Sequence, residues 1–284
     1  MNAREYILSK QIEWAYNNGI ELIGGQGDRG RRAYTRKLEN NLFEPLLPET
    51  EDAFRRGDGG ELAGYPPKMQ AVHSSSALAV NVFQFWYRVG EVSQIAHACG
   101  LCRKTTRVSQ SIGFEVKYPV DDKFRYHQNI DVVIRNAASS KYRVFAIESK
   151  FTEAYGGRGH SGLKEKYLGL EVWDGIPNLR KLATSISPQD NHFQYLYAAQ
   201  LVKHILGLKR AYGHTGFRLL YLWYDAPGSE GARHREEIGE FLKTTRADEI
   251  AVHAMSYQEL IVRLAREYRG VHKEYIEYIT GRYL

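Results

Sequence analysis

Two hydrophobic periods run along this chain, and the point where one gives way to the other organises it. Over residues 4–16, Tyr6, Ile7, Ile12, Trp14 and Ala15 recur as on one side of a short amphipathic helix. The pattern predicts a second helix over residues 36–46, closed by Pro45 and Pro48, and a Gly- and Pro-rich loop over residues 57–67. Residues 73–89 read as a helix that Ser74 can cap, with Ala77, Leu78, Val80, Phe85 and Trp86 as its apolar surface, and residues 91–101 as another. Strand-like alternation then takes over, and residues 112–118, 129–135 and 143–151 predict three consecutive strands. A long helix follows over residues 190–208, with Phe193, Leu196, Tyr197, Ala199, Leu201 and Ile205 on its apolar side. Residues 217–224 are apolar at both parities, which marks a central strand covered on both faces. Beyond Glu236 the chain reads as mostly helical. The order helix, three strands, helix, strand belongs to the α/β class.

Two of these strands carry charges where a buried strand should have none. Asp131 interrupts Ile130, Val132, Val133 and Ile134, while Glu148 and Lys150 close the apolar run 144–147. Charges are rarely buried unless they are paired or bind a metal. The strand period of two puts Glu148 and Lys150 on one side and Ser149 on the other. In a hairpin of the two strands, Asp131 joins them in one polar cluster. Two carboxylates and an ammonium at strand ends suit a divalent cation with a fixed positive charge beside it, the equipment of phosphodiester hydrolysis. A plainer reading also fits: a cross-strand ion pair of Glu148 with Lys150 or a neighbouring strand, which contributes little.

The Asp131 and Glu148-Ser149-Lys150 arrangement resembles the PD-(D/E)XK nuclease superfamily. Segment 68–83, Phe114-Glu115, Asp131, Glu148 to Glu153 and Ala199 to His204 follow in the order of a bacterial family of restriction-type endonucleases within it. The resemblance runs from about Tyr34 to the last helices. It implies a restriction-endonuclease-like αβββαβ core, a mixed central sheet flanked by helices, with helical N- and C-terminal extensions. As one domain over 1–284, the chain would divide into an extension (1–70), a catalytic core (71–225) and C-terminal helices (226–284). Asp131 and Glu148 would be metal ligands, with the Ser149 carbonyl a further one, and Lys150 would orient or activate the attacking water. Ile130 stands where the pattern has Pro, and Ser149 where small apolar residues are common, but neither departure removes a chemical group. The implied cofactor is Mg²⁺, with Mn²⁺ able to substitute. The implied activity is hydrolysis of DNA phosphodiesters, endonucleolytic and of restriction or defence type.

Other residues are candidates for the same site. Glu115 is placed by the resemblance to complete the metal shell, with Glu61 in its Gly-rich loop as the other choice; an ion pair of Glu115 with Lys117 or Arg143 is the alternative. Gln200, Lys203 and His204 share one helix face at i, i+3 and i+4. That face can aim at a scissile phosphate, with Lys203 as a point charge and Gln200 as a positioning donor, or it can simply be solvated. Glu153 can help set metal geometry or cap its loop.

Composition adjusts this picture only modestly. A length of 284 residues allows one substantial core. The formal charge of +6 suits a polyanionic partner; the basic loop over residues 24–32 reads either as a phosphate clamp or as a solvated linker, and it and the Gly-rich loop over 156–162 are where any sequence preference would come from. The 20 tyrosines offer rings for base stacking or for the core. Cys99 and Cys102 lack the partners of a four-ligand site, even with His97 nearby, and read as helix-packing thiols in a reducing cytosol. The start of the chain has no apolar stretch of the signal-peptide kind, and no run of some twenty apolar residues occurs, so the expected location is cytoplasmic. Cutting both strands of a duplex favours a two-fold homodimer, for which Tyr268, Tyr275, Tyr278 and Tyr283 near Ile276 and Ile279 are the candidate interface. A catalytically silent nucleic-acid-binding protein that keeps the nuclease fold is the alternative function. A metal-dependent phosphatase fits the chemistry but suits the basic charge less well.

Overall fold

The alternation over residues 112–151 folds as a three-strand antiparallel meander, which supplies three of the five strands of the central sheet. The computed structural model describes residues 1–25, 32–157 and 159–284. Most of the basic loop 24–32 therefore lies outside the described residues, as does Arg158 of the loop 156–162. The first elements are α1 (Ala3–Asn17), β1 (Leu22–Gly24), β2 (Arg32–Thr35), α2 (Pro48–Arg56), α3 (Ser75–Arg88) and α4 (Val92–Ala98). The meander is β3 (Ser109–Lys117), β4 (Asn129–Asn136) and β5 (Val144–Lys150). After it come β6 (His160–Ser161), α5 (Glu165–Leu168), α6 (Pro177–Ser185), β7 (Gln189–Asp190) and α7 (Ala198–Tyr212). The chain ends with β8 (Phe217–Trp223), α8 (Gly228–Ala247), β9 (Val252–Ser256), α9 (Tyr257–Tyr268) and α10 (Lys273–Tyr283).

The main sheet has the order β3-β4-β5-β8-β9. Its first two pairings are antiparallel, whereas β5 with β8 and β8 with β9 are parallel, so the sheet is mixed. Residues 144–149 of β5 are all buried, as a strand covered on both faces requires. One face packs Phe83, Trp86, Ile147, Leu222 and Tyr257 beneath α3, α4, α9 and α10. The opposite face packs Val133, Ala146, Ile205, Tyr221 and Phe241 beneath α6, α7 and α8. A smaller cluster around Leu8, Trp14 and Tyr34 joins α1 to the β1–β2 hairpin.

Several expectations need correction. No α-helix forms over residues 36–46, where only a 3₁₀ turn, Leu38–Asn41, is present. There Asn41 is drawn inward, its Nδ2 donating to the carbonyls of Met69 (2.7 Å) and Ala71 (2.9 Å). Pro48 opens α2 instead of closing a helix, since its missing N–H costs nothing at a first helical position. The long helix begins at Ala198, not at residue 190. The buried Glu237 carboxylate takes the N–H groups of Gln194, Tyr195 and Leu196 at 2.8–2.9 Å, which holds that segment out of helix. The region after Glu236 contains a strand, β9, that its polar and small residues concealed.

The C-terminal aromatic stretch does not form an exposed interface. Tyr275, Ile276, Ile279 and Tyr283 are buried, and Tyr275 stacks on Phe85 with ring centroids 4.0 Å apart. Tyr268 packs edge-on against Trp86 at 5.0 Å, and Tyr278 sits partly buried against Phe43. These rings complete the chain's own core. Cys99 and Cys102 are free thiols, and burial raises the pKa of both. Among the described residues no helix is long and apolar enough to cross a membrane.

Candidate active site

The C-terminal end of β5 lies beside the N-terminal part of β4, so antiparallel pairing brings Asp131 to Glu148-Ser149-Lys150. The register Val132↔Ile147 sets the two strands, and Asp131 Oδ2 accepts the Ser149 N–H at 2.7 Å. Lys150 Nζ donates to Glu148 Oε1 at 2.5 Å. His204 from α7 holds the other Glu148 oxygen, with Nε2 2.8 Å from Oε2. Glu148 and His204 are almost completely buried. Ser149 points to the opposite face, where its Oγ lies 2.6 Å from the Tyr257 hydroxyl of α9 and ties the strand down from behind.

Glu115 falls opposite Asp131 in the register set by Phe114↔Val132 and Val116↔Ile130. Its backbone has φ 53°, a left-handed conformation that non-glycine residues seldom adopt and that concentrates at functional sites. Alternation breaks at this point in both strands. Phe114 and Val132 belong to one core, while Val116 and Ile130 belong to the other. The break turns the Glu115 carboxylate toward the loop after α2, where a Cβ on Gly57 would lie 3.0 Å from Oε2. Asn129 Nδ2 donates to the same oxygen at 2.5 Å. The alternative for Glu115, an ion pair with Lys117 or Arg143, is not formed, and Lys117 pairs with Asp58 at 2.7 Å.

Charge is unevenly balanced here. Burial opposes ionisation of Glu148, but the Lys150 ammonium and His204 more than offset it and hold the carboxyl below the usual range. Burial also works against the Lys150 charge, yet Glu148, Asp131 and Glu153 raise its pKa. Asp131 is driven well above the usual range by burial and then by Glu148, with Glu115 adding to it against the pull of Lys150 and the Ser149 N–H. Glu115 is pushed up to about 7, by burial first and then by the charges of Glu61, Glu148 and Asp58, against the pull of the Asn129 hydrogen bond. Glu61 is raised by burial despite Lys68 and Ser76, and Glu153 adds to the rise. Three carboxylates crowd around one ammonium, with two more close by.

The donors are hard oxygens, the kind that magnesium and manganese prefer. As they stand, no three His, Cys, Asp or Glu side chains among the described residues form a group that could hold an ion. Both Glu148 oxygens already have a partner, Lys150 on one and His204 on the other.

The other expected residues are placed unevenly. Glu61 approaches the cluster, and Glu153 turns back to accept the Phe151 N–H at 2.9 Å. Gln200 lies half-buried one turn before His204 on α7. Lys203 does not reach the carboxylates; its Nζ lies 5.5 Å from the centroid of the Tyr167 ring. One residue along a helix is a rotation of about 100°, and it is His204 that meets Glu148. The i, i+3, i+4 spacing puts Gln200, Lys203 and His204 on one face, and of the three it is His204 that bonds Glu148. Asn129 is not among the expected residues; its signal was its position two residues before Asp131.

A mixed five-strand sheet flanked by helices, with this cluster at one end of its strands, defines an α/β restriction-endonuclease-like fold. The model of the family described as "Restriction Endonuclease associating with ARP" matches residues 9–284, and the chain belongs to that family. No curated protein and no solved structure matches the chain.

Proposed function

We propose that this restriction-endonuclease-like protein is a metal-dependent deoxyribonuclease of the PD-(D/E)XK kind, acting on DNA internally. The observation that carries the reading is the meeting of Asp131, Glu148 and Lys150 through the Ser149 backbone. Asp131, Glu148 and the Ser149 carbonyl would hold a Mg²⁺ or Mn²⁺ ion, with Glu115 completing the set and Glu61 behind it. A bound divalent cation supplies the charge that lowers the pKa of an attacking water and neutralises the scissile phosphate. Lys150, kept charged by its carboxylate neighbours, orients the water and stabilises the negative charge that builds on the phosphate. His204 fixes the Glu148 carboxylate, and Gln200, on the same face of α7, serves as a positioning donor to the substrate.

Incubation of supercoiled and linear DNA with Mg²⁺ or Mn²⁺ tests this reading. Asp131→Ala, Glu148→Ala and Lys150→Ala each abolish cleavage while the protein stays folded by circular dichroism. Retained cleavage in any two of them refutes the assignment.

One observation favours a second reading, a silent protein that keeps the nuclease fold. Glu148 is fully occupied by Lys150 and His204, as in a structural ion-pair network. Calorimetric titration with Mn²⁺ separates the two. Saturable binding that Asp131→Ala removes supports the nuclease, whereas no binding, or binding unchanged by that substitution, supports the silent protein.

A further inference from the structure

Beside the carboxylate cluster, three segments bring cations and aromatic rings together without acidic partners. The first is the loop that joins β3 to β4, which contributes Phe124, Arg125 and Tyr126. The second is α5 with the residue before it, contributing Lys164, Lys166 and Tyr167. The third is α7, contributing Lys203. Lys166 Nζ lies 3.9 Å from the Phe124 ring centroid and 5.4 Å from that of Tyr167. Lys203 Nζ approaches the Tyr167 ring as well, at 5.5 Å. The two rings meet edge-on at 4.8 Å. Arg125 lies 5.2 Å from the ring of Tyr126, a residue that is 67% exposed.

Ring faces hold Lys166, Lys203 and Arg125, and Lys164 is exposed beside them. Among the described residues, Lys164, Lys166, Lys203 and Arg125 form no ion pair. The acidic residues of the loop are already engaged: Asp122 pairs with Arg210 and Asp121 accepts the Lys123 N–H at 2.8 Å. Glu165 is the one carboxylate on α5, and it is exposed. Burial and the proximity of Lys164 and Lys166 depress the pKa of Lys203, as expected of ammonium groups gathered without a counter-charge. Such gathering disfavours the isolated protein and is relieved by a polyanion.

The position of the patch relates it to the cluster. The loop runs directly into β4, whose third residue is Asp131. Lys203 precedes His204, the residue on Glu148. The loop is seated firmly on α7, where the Tyr118 carbonyl leaves no room for a side chain at Gly207 and the hydroxyls of Tyr118 and Tyr212 lie 3.2 Å apart.

We propose that Lys164, Lys166 and Lys203, gathered about the buried Tyr167 ring, form with Phe124 and the exposed Tyr126 a surface that binds the phosphate backbone of DNA and leads it to the carboxylate cluster. The lysines neutralise successive phosphates, and Tyr126 offers a stacking face to a base. The choice of polyanion rests on the nuclease reading above.

The test measures binding, not cleavage. Fluorescence anisotropy of a labelled DNA duplex is followed with the full chain in EDTA across a range of salt. The double variant Lys164→Gln/Lys166→Gln removes two exposed charges. It should bind more weakly, with the slope of log K against log[salt] reduced by about 2, since each lost phosphate contact contributes about 0.9. Adding Lys203→Gln should reduce the slope by a further unit. A control of equal net charge, Lys141→Gln/Lys273→Gln, alters the β4–β5 turn at the opposite end of the sheet and the start of α10, and should leave the slope unchanged. Thermal melts establish that each variant is folded, and the exposed double variant decides the question if the triple is not. The proposal is overturned if the patch variants keep the wild-type slope, or if the control loses as much. DNA binding that depends on the patch without any cleavage would refute the nuclease reading and leave this surface standing. Cleavage with binding indifferent to the patch would do the reverse.

Discussion

Two buried polar centres in this molecule solve the same problem in opposite ways. Arg282, on α10, is 2% exposed and carries a full positive charge into the core. Its five N–H donors meet Gln11 Oε1, the Asn41 carbonyl, Asn41 Oδ1, the Val72 carbonyl and the Tyr278 hydroxyl at 2.5–3.3 Å. Its guanidinium also stacks 4.1 Å from the Trp14 ring centroid. Every partner is neutral, every donor is used, and the site joins α1, the turn at Asn41 and the last helix. Around Glu148 the count does not close. Asp131, Glu148 and Glu115 face one ammonium, a residue opposite Asp131 adopts φ 53°, and buried His204 Nδ1 has no partner. A charge whose hydrogen bonds are complete is a fastening. Crowded like charges on a strained backbone are costly to keep, and they make sense where a ligand will supply the missing charge.

The sharpest way to break this comparison is to neutralise one member of each centre. Asp131→Asn keeps the acceptor for the Ser149 N–H and removes one of the crowded charges. Cleavage should fall about 10⁴-fold, about 5 kcal/mol of barrier, while the melting temperature holds or rises. Arg282→Met should behave in the opposite way. Stripping the charge from its completed shell leaves buried acceptors unpaired and should cost about 3–5 kcal/mol of stability by chemical denaturation, with the specific activity of the folded fraction unchanged. Equal loss of stability in both variants would mean that the two centres do not differ in kind.

How much of this was legible in the sequence follows the same division. The strands β3, β4, β5 and β8 announced themselves because buried strands are apolar and alternate. Asp131, Glu148 and Lys150 stood out as charges within those runs. The Arg282 site was invisible, since its partners Gln11 and Asn41 lie 271 and 241 residues away and none of them breaks a pattern. β9 was missed for a related reason: Val252–Ser256 is an edge strand with mostly half-buried residues, so its alternation is faint. On α7 the helical period gave the face that turns to the sheet but not which residue on it would meet Glu148. That depends on the angle at which α7 packs, which is a tertiary quantity.

His204 sharpens the comparison on a smaller scale. A residue that orients a ligating carboxylate typically contributes 10–100-fold in metal affinity or activity. His204→Ala should therefore weaken Mn²⁺ binding by about that factor in calorimetric titration, and His204→Gln, whose amide can still donate to Glu148, should recover most of it. If both variants bind Mn²⁺ equally poorly, the ring is needed for packing and not for the hydrogen bond.

The least of the expected effects comes from a third buried site, one with closed hydrogen bonds but a titratable group. His234 on α8 is fully buried. Its Nε2 lies 2.9 Å from the Tyr221 hydroxyl and its Nδ1 3.2 Å from that of Tyr155. The Tyr155 hydroxyl already donates to the Tyr224 carbonyl at 3.1 Å, so Nδ1 carries the proton and Nε2 accepts from Tyr221. That arrangement needs a neutral ring. Burial, with nearby His160, Arg235 and Lys150, lowers the pKa from 6.5 to about 3. The unfolded chain therefore takes up a proton as pH falls below about 6.5 while the folded chain does not, and stability present at neutral pH is lost toward acid. Between pH 7 and 5.5 the loss from this group is about 1 kcal/mol. Urea unfolding of His234→Gln over that range should show a shallower fall than the wild type, by about that amount. Parallel curves would mean that the ring titrates alike in both states and that this site is not closed in the way the Arg282 site is.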